Sequence, residues 1–312
     1  FKEFLLAFEE DMVVDFLSSY NLQKQISPVI HNKLIKLLRL YFFIGGMPEA
    51  VKVYLETRDM TEVERVHESI LITMEIDFAK YVKNGSQDIF RKTLRHIPQT
   101  LGKKLKYTYI DQSVKTYQTK TAVDKLVLSR IIHKVTATSA AQIPLSQNLR
   151  ENIFKPVFLD IGLAMHLMKI RLLDTDQLML INEGELVEQF IGQQLLTREP
   201  HFIDHELYYW LREKTDSSAE VDYILEWGNE VMPVEVKAGK TGKLRSLHVF
   251  MLEKKKNLAL RFYADLPNVT QVETQIKMKT SIQQVNYRLV SLPLYLVSFI
   301  DESDFAQKNP ET

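Results

Sequence analysis

The sequence contains no cysteine among its 312 residues. This excludes disulfide bonds, zinc sites built from thiolates and cysteine nucleophiles, and it is typical of a reducing compartment. The chain also lacks any run that approaches the roughly 18 apolar residues of a membrane-spanning helix, and its most apolar stretch, residues 292–300, is too short. We therefore expect a cytoplasmic protein with no membrane partner. No stretch has the pattern of a signal peptide, and because the chain opens at Phe1 inside a predicted helix, we expect it to be truncated.

Net charge is absent as well, because 40 Lys and Arg balance 40 Asp and Glu. This argues against a uniformly basic nucleic-acid-binding protein. The distribution is uneven, however: residues 83–155 contain fourteen Lys and Arg but four Asp and Glu, a net charge of +10, which leaves −10 on the remainder. Such a split suggests an anionic partner for the basic segment, for example DNA. A solvated basic face, or one packed on the acidic remainder, explains the same pattern.

Residues 220–237 show the period-2 alternation that is typical of β-strands, in two short stretches. Gly228-Asn229 lies between them and favours a two-residue hairpin turn, because both residue types tolerate positive φ. A turn centred there fixes the register so that the numbers of paired residues sum to 457. Asp222 then lies opposite Glu235, whereas a three- or five-residue loop gives other pairs.

This register places two carboxylates face to face. Directly opposed residues have Cβ atoms about 4.5–5.5 Å apart, and like charges at that distance destabilise a sheet. A divalent cation converts the repulsion into binding, since Mg²⁺ takes a few carboxylate oxygens and keeps its waters. The same register pairs Glu220 with Lys237, and Lys237 shares a strand face with Glu235. The hairpin therefore predicts a carboxylate pair and an ammonium group at one place.

Helical periodicity predicts a helical N-terminal segment over residues 1–83. Gly45-Gly46-Met47-Pro48 interrupts it and predicts a helix–helix turn, because proline favours the first helical position; a functional hinge is the alternative interpretation. Residues 84–165 have the pattern of a winged helix. Helices are predicted over 89–101, 110–117 and 119–128, and wing strands over 131–137 and 154–159.

The predicted winged helix suggests how this segment would contact DNA. In a helix-turn-helix, the N-terminal residues of the third helix enter the major groove, and nearby basic residues contact phosphates. Six residues are candidates: Lys120, Thr121 and Lys125 in the groove, and Lys103, Lys104 and Lys106 at the phosphates. Winged helices also serve as packing or dimerisation modules, so a second copy of the chain is an alternative partner.

Residues 166–312 alternate helices and strands in an order typical of an α/β sandwich. Helices are predicted over 186–196 and 243–256, strands over 205–212 and 257–264, and a strand followed by a helix over 285–297. Glu188 lies on the first of these helices. The whole chain is therefore predicted to be a mixed α+β protein, with a helical segment, a winged helix and an α/β domain.

An acidic residue on a first helix, Asp on a strand and Glu-x-Lys on the next strand resemble the PD-(D/E)XK nuclease core, the restriction-endonuclease-like fold. Here they are Glu188, Asp222, Glu235 and Lys237. The runs Glu-Leu-Tyr-Tyr-Trp, Ala-Glu-Val-Asp-Tyr-Ile-Leu and Pro-Val-Glu-Val-Lys-Ala-Gly are similar to the uncharacterised C-terminal domain of a group of prokaryotic AAA-type ATPases. Residues 41–51 and 155–163 are similar to the same group, so the resemblance covers nearly the whole chain. It implies that residues 1–83 correspond to the tail of the ATPase module.

The chain departs from that group in one respect, because the P-loop pattern Gly-x-x-x-x-Gly-Lys-Ser/Thr occurs nowhere. Gly239-Lys240-Thr241 lacks the earlier glycine and follows a strand of the candidate site. We therefore expect no ATP binding and no ATPase activity from this chain. An ATPase module that has been removed from it is a candidate partner.

The resemblance implies a Mg²⁺-dependent nuclease. Asp222 and Glu235 would hold the metal, with Glu188 as a third ligand, direct or through water, and Lys237 would position the attacking water or stabilise the transition state. The alternative is a catalytically inactive module that recognises nucleic acid or protein, or oligomerises. In that case the same residues form an ion-pair cluster at a vestigial site, with Lys237 paired to Glu220 and Glu235.

Overall fold

The computed structural model describes residues 1–81, 87–170, 183–198, 205–212, 219–277 and 282–300. The first range is helical, as predicted: α1 Lys2–Ala7, α2 Asp11–Ser18, α3 Pro28–Ile44, α4 Pro48–Thr57 and α5 Met60–Tyr81. Ser27 caps α3, since its hydroxyl accepts a hydrogen bond from the Ile30 amide at 3.3 Å. Within the described ranges, no helix is both long enough and apolar enough to cross a bilayer.

The glycine pair at 45–46 forms the predicted turn between α3 and α4. Gly45 ends α3 with a φ of +75°, which favours glycine, and Pro48 begins α4. Asp160 holds the turn to a later part of the chain, accepting hydrogen bonds from the Gly46 amide at 2.7 Å and from the Leu163 amide at 3.0 Å. This close packing favours the helix–helix turn over the hinge interpretation.

Residues 87–167 form three helices, a 3₁₀ turn, a hairpin and a further helix: α6 Gln87–His96, the turn Ile97–Thr100, α7 Tyr107–Ile110, α8 Thr116–Leu128, β1 Ile132–Thr138, β2 Leu149–Phe158 and α9 Ile161–Leu167. The helix predicted over 110–117 is wrong. The Asp111 side chain accepts a hydrogen bond from the Ser113 amide at 2.8 Å, and this turn replaces helical bonding. The next helix then starts at Thr116, earlier than predicted.

The last part of the chain supplies two helices and the remaining strands: α10 Glu183–Leu196, β3 Leu207–Leu211, β4 Glu220–Trp227, β5 Glu230–Val236, α11 Arg245–Lys254, β6 Leu258–Tyr263, β7 Asn268–Lys277 and β8 Ile282–Pro293, then a 3₁₀ turn Leu294–Ser298. All but β7 lie close to predicted elements. The eight described strands form one mixed sheet in the order β2-β1-β3-β4-β5-β6-β8-β7. The mixed α+β class predicted from the sequence is confirmed.

The hairpin β1–β2 is part of this sheet. β1 pairs in parallel with β3, from Val135 with Leu207 to Thr138 with Trp210. The strands predicted as a wing are therefore built into the sheet that also carries β4 and β5. Residues from both sides of the predicted domain boundary at 165 consequently meet on one sheet.

Helices α10 and α11 cover opposite faces of the sheet. Phe190 of α10 packs in one core with Tyr209 and Tyr223, whereas Phe250 of α11 packs in a second core with Trp210. Neighbouring residues 209 and 210 thus point to opposite faces, as a strand requires. The face under α10 brings Glu188 towards the predicted hairpin.

Candidate functional site

The hairpin β4–β5 has the predicted register. Its pairs run from Tyr223 with Val234 to Trp227 with Glu230, so the numbers of paired residues sum to 457. Gly228 in the two-residue turn has a φ of +58°, in the left-handed region that favours glycine. The ladder ends one step short of the predicted pair of Asp222 with Glu235.

Beyond Tyr223 and Val234, each strand keeps its neighbour on the opposite edge. Glu220 pairs with Leu211 of β3, and the Lys237 amide donates to the Phe262 carbonyl of β6 at 2.8 Å. Asp222 Oδ2 accepts a hydrogen bond from the Val236 amide at 2.8 Å. The predicted pair of Glu220 with Lys237 is wrong, since the backbone pairs of β4 with β5 do not extend past Tyr223 and Val234.

Glu235 is the most deeply placed carboxylate of the predicted set, with 4% of its surface exposed. Its Oε1 accepts a hydrogen bond from Lys237 Nζ at 2.5 Å, while its Oε2 is buried and has no hydrogen-bond partner in the described part of the chain. Burial, with a further contribution from Asp222, raises the pKa of Glu235 to about 7. Within the described residues, Glu235 thus has one oxygen that accepts a hydrogen bond and one that is available to a ligand.

Lys155 of β2 also belongs to the site, although it was not among the predicted site residues. Its side chain is 2% exposed, and its Nζ lies 2.9 Å from Glu188 Oε1 and 3.3 Å from Glu220 Oε1. Burial lowers the pKa of Lys155, but Glu188, Asp222 and Glu220 outweigh it and raise the pKa. A single lysine within the otherwise apolar run Phe154–Phe158 was the available signal.

Glu188 meets the site from α10, where its side chain is 13% exposed. Burial raises its pKa to about 8; Lys155 opposes this shift, and Asp222 adds to it. The helix is held against β4 by the Tyr223 hydroxyl, which donates to the Glu188 carbonyl at 2.8 Å. A Cβ at Gly192 would lie 2.5 Å from that hydroxyl, so glycine permits the close approach.

Glu220 lies at the solvent side of the site. Lys104 Nζ approaches it at 3.1 Å, and both side chains are about one-third exposed. Burial alone raises the pKa of Glu220, but Lys155 and Lys104 lower it below its usual value. We call the whole set the acid–lysine cluster: Glu188, Glu220, Asp222 and Glu235 with Lys104, Lys155 and Lys237.

Two loops border the acid–lysine cluster at glycine residues. A Cβ on Gly102 would lie 3.1 Å from Glu188 Oε2, and one on Gly242 would lie 2.6 Å from Lys237 Cδ. The φ of Gly102 is +67°, which also favours glycine. The first loop carries Lys103 and Lys104, so two of the predicted phosphate-contacting lysines lie at the cluster.

The remaining candidates for nucleic-acid contacts are spread over a wider surface. Lys103 forms an ion pair with Glu185 at 3.1 Å, and Lys106 lies over the ring of Tyr109 at 4.9 Å. Lys120 and Thr121 are exposed on α8, and Lys125 is half-buried. Since α8 begins at Thr116, these three residues lie beyond its first turn, not at its N-terminus as predicted.

The predicted carboxylates fit a Mg²⁺ ion only in part. The described ranges contain no group of three or more His, Asp or Glu side chains arranged to hold a metal ion, and Glu188 is engaged by Lys155. Asp222 and Glu235 do fit a smaller site, because Mg²⁺ is usually held by one or two carboxylates together with waters and substrate phosphates. The open Oε2 of Glu235 supplies a buried oxygen that a cation would satisfy.

Comparisons with known proteins match two segments of the chain to families of unknown function. Residues 35–174 match the Domain of unknown function (DUF8612), and residues 183–289 match the Domain of unknown function (DUF4143). The second domain occurs in proteins associated with AAA-type ATPases, which agrees with the predicted resemblance at that coarser level. No curated protein and no solved structure matches the chain.

Proposed function

We propose that this protein is a nuclease-like module of an AAA-type ATPase system, which hydrolyses phosphodiester bonds in DNA at Asp222, Glu235 and Lys237 with Mg²⁺. The observation that carries the proposal is the buried Glu235 Oε2, which lacks a hydrogen-bond partner in the described part of the chain and lies close to the half-buried carboxylate of Asp222. An unpaired buried carboxylate oxygen is costly. A bound cation would remove that cost.

Each residue has a defined part in this proposal. Asp222 and Glu235 would hold the metal, and Asp222 is oriented for this by its hydrogen bond from the Val236 amide. A bound Mg²⁺ would lower the pKa of a coordinated water and would neutralise negative charge on the phosphate. Lys237 stays protonated, because Glu235 and its hydrogen bond raise the lysine pKa against the effect of burial. Its ammonium would stabilise the negative charge that develops on the phosphate.

Basic residues near the site would contact the phosphates of the proposed DNA substrate. Lys103 and Lys104 lie on the loop beside Glu188 and Glu220, and phosphate contacts from such residues position DNA without reading its sequence. Lys120 and Thr121 extend the exposed polar surface along α8. Binding through these residues should weaken steeply as salt concentration rises.

A second candidate function is a catalytically inactive module that recognises nucleic acid or protein, or that oligomerises. The observation that favours it is Lys155, whose buried ammonium already contacts Glu188 and Glu220 inside the cluster. In this case the charges of the acid–lysine cluster serve stability rather than metal binding. A measurement of DNA cleavage therefore distinguishes the nuclease from the inactive module.

The experiment is incubation with linear, single-stranded and branched DNA in Mg²⁺ or Mn²⁺. Wild-type protein should cleave at least one substrate, and Asp222→Asn and Lys237→Met should lose cleavage by at least a hundredfold. Glu273→Gln, on an exposed position of β7, is the matched control and should cleave like wild type. Absence of cleavage on all three substrates, or undiminished cleavage by Asp222→Asn, would reject the enzyme in favour of the inactive module.

A further inference from the structure

The acid–lysine cluster, which contains the proposed metal site, already holds a buried cation, the Lys155 ammonium. It contacts Glu188 at 2.9 Å and Glu220 at 3.3 Å, and it lies 5.0 Å from the centre of the Tyr209 ring. Burying an ammonium group is costly unless it is paired, so these contacts fix it at this place. The ion pair joins β2 to α10 and β4, three elements that are distant in the sequence.

The charges of the acid–lysine cluster nearly balance without a metal ion. Its four carboxyl groups face three lysines, which leaves one negative charge when all are ionised. The field of Lys155 also reaches Asp222 and Glu235, since it favours the charged form of both. A divalent cation bound by Asp222 and Glu235 would be attracted by the same negative charge that attracts Lys155.

We propose that Lys155 is the resident cation of the acid–lysine cluster and competes with divalent metal ions for the negative charge of that cluster. The inference rests on the proposed function, because it concerns a metal ion at Asp222 and Glu235. Like charges in a buried site repel strongly, since little solvent screens them. Metal binding therefore requires the Lys155 ammonium to move away from the cluster, and β2 regulates metal affinity.

The test is Mn²⁺ binding by titration calorimetry to wild-type protein and to Lys155→Gln. The variant should bind one Mn²⁺ at least tenfold more tightly, and Lys155→Arg, which keeps the charge, should bind like wild type. Lys134→Gln is the matched control: Lys134 lies on the neighbouring strand β1, is partly exposed and pairs with Asp124 at 3.3 Å. The Mn²⁺ affinity of Lys134→Gln should equal that of wild type. Equal or weaker binding by folded Lys155→Gln overturns the inference.

Two further measurements test the inference even if Lys155→Gln fails to fold. The double variant Lys155→Gln/Glu188→Gln replaces the ion pair by a neutral amide pair, and it should also bind Mn²⁺ more tightly than wild type. In wild-type protein, an amine-reactive label located by mass spectrometry should modify Lys155 severalfold more when Mn²⁺ is saturating. Unchanged labelling at saturation would reject displacement of the lysine.

The outcomes separate this inference from the proposed function. Equal Mn²⁺ affinity in wild type and Lys155→Gln rejects the competition but leaves the nuclease proposal standing. Binding by the variant alone supports the competition and rejects a metal-dependent nuclease in the wild-type chain. Binding by neither protein rejects both.

Discussion

Glu188 should make the protein less stable as the pH rises. Burial raises its folded-state pKa to about 8 from the ordinary value of 4.5, against the opposing effect of Lys155. The folded protein therefore keeps a proton that the unfolded chain has already released above pH 4.5. Within this window folding takes up a proton, so the free energy of unfolding falls as the pH rises.

The size of the effect follows from the pKa difference. Each pH unit inside the window changes the free energy of unfolding by at most about 1.4 kcal/mol for one proton. From pH 5.5 to pH 8 the loss is at most about 3 kcal/mol, and we expect about 1–3 kcal/mol because the neighbouring carboxyls titrate together with Glu188. Glu188→Gln keeps the shape of the protonated side chain without its titration, so it should lose this dependence.

Urea unfolding at pH 5.5, 6.5, 7.5 and 8.5 measures the effect in wild type and in Glu188→Gln. The two proteins should be similarly stable at pH 5.5, and the variant should gain about 1–3 kcal/mol over wild type by pH 8. The control is Glu273→Gln on the exposed face of β7, which should show no such gain. Stability differences that stay constant with pH would refute the reasoning, since they would mean that Lys155 keeps Glu188 ionised throughout.

Two further predictions concern the packing that builds the site. Gly45→Ala combines a φ of +75° with a Cβ placed 2.1 Å from Asp160 Oδ1, so it should destabilise the protein by roughly 2–4 kcal/mol in thermal denaturation. Gly184→Ala, whose Cβ meets no atom within 4 Å, should change little, and equal melting temperatures of the two variants would contradict the steric argument. Tyr223→Phe removes the hydrogen bond to the Glu188 carbonyl and should cost about 0.5–1.5 kcal/mol in urea unfolding. An unchanged free energy of unfolding would show that this bond does not hold α10 on the sheet.

The sequence was sufficient to predict the parts of the fold that are determined by a few neighbouring residues. The turn at Gly228-Asn229 fixes the register of β4 and β5, and the confirmed pairs follow from it without any distant contact. The turn at Gly45 is equally local, because glycine ends one helix and proline begins the next. Both predictions rest on φ preferences that a few residues express by themselves.

Predictions failed where distant parts of the chain decide the structure. Most residues of β7 are exposed, so pairing with β8, rather than an apolar pattern, defines it as a strand. The β4–β5 ladder ends at Tyr223, where the register of β3 with β4 shifts and the Asp222 side chain accepts the Val236 amide, and no local pattern encodes this. The misplaced helix at 110–117 has a local cause, the Asp111 turn, whose side-chain hydrogen bonds compete with helical ones.

Lys155 shows why the site itself could be predicted only in part. Its position among carboxylates depends on the parallel pairing of β1 with β3, which places the β1–β2 hairpin beside β3 and one strand away from β4. The first matched segment, residues 35–174, contains Lys104 and Lys155, and the second, residues 183–289, contains the four carboxylates of the acid–lysine cluster. Without the first segment, Glu188 and Glu220 would lose the ammonium groups that compensate their burial, and β3 would lose a strand neighbour. The two segments therefore form one structural unit, and the chemistry of the site belongs to both.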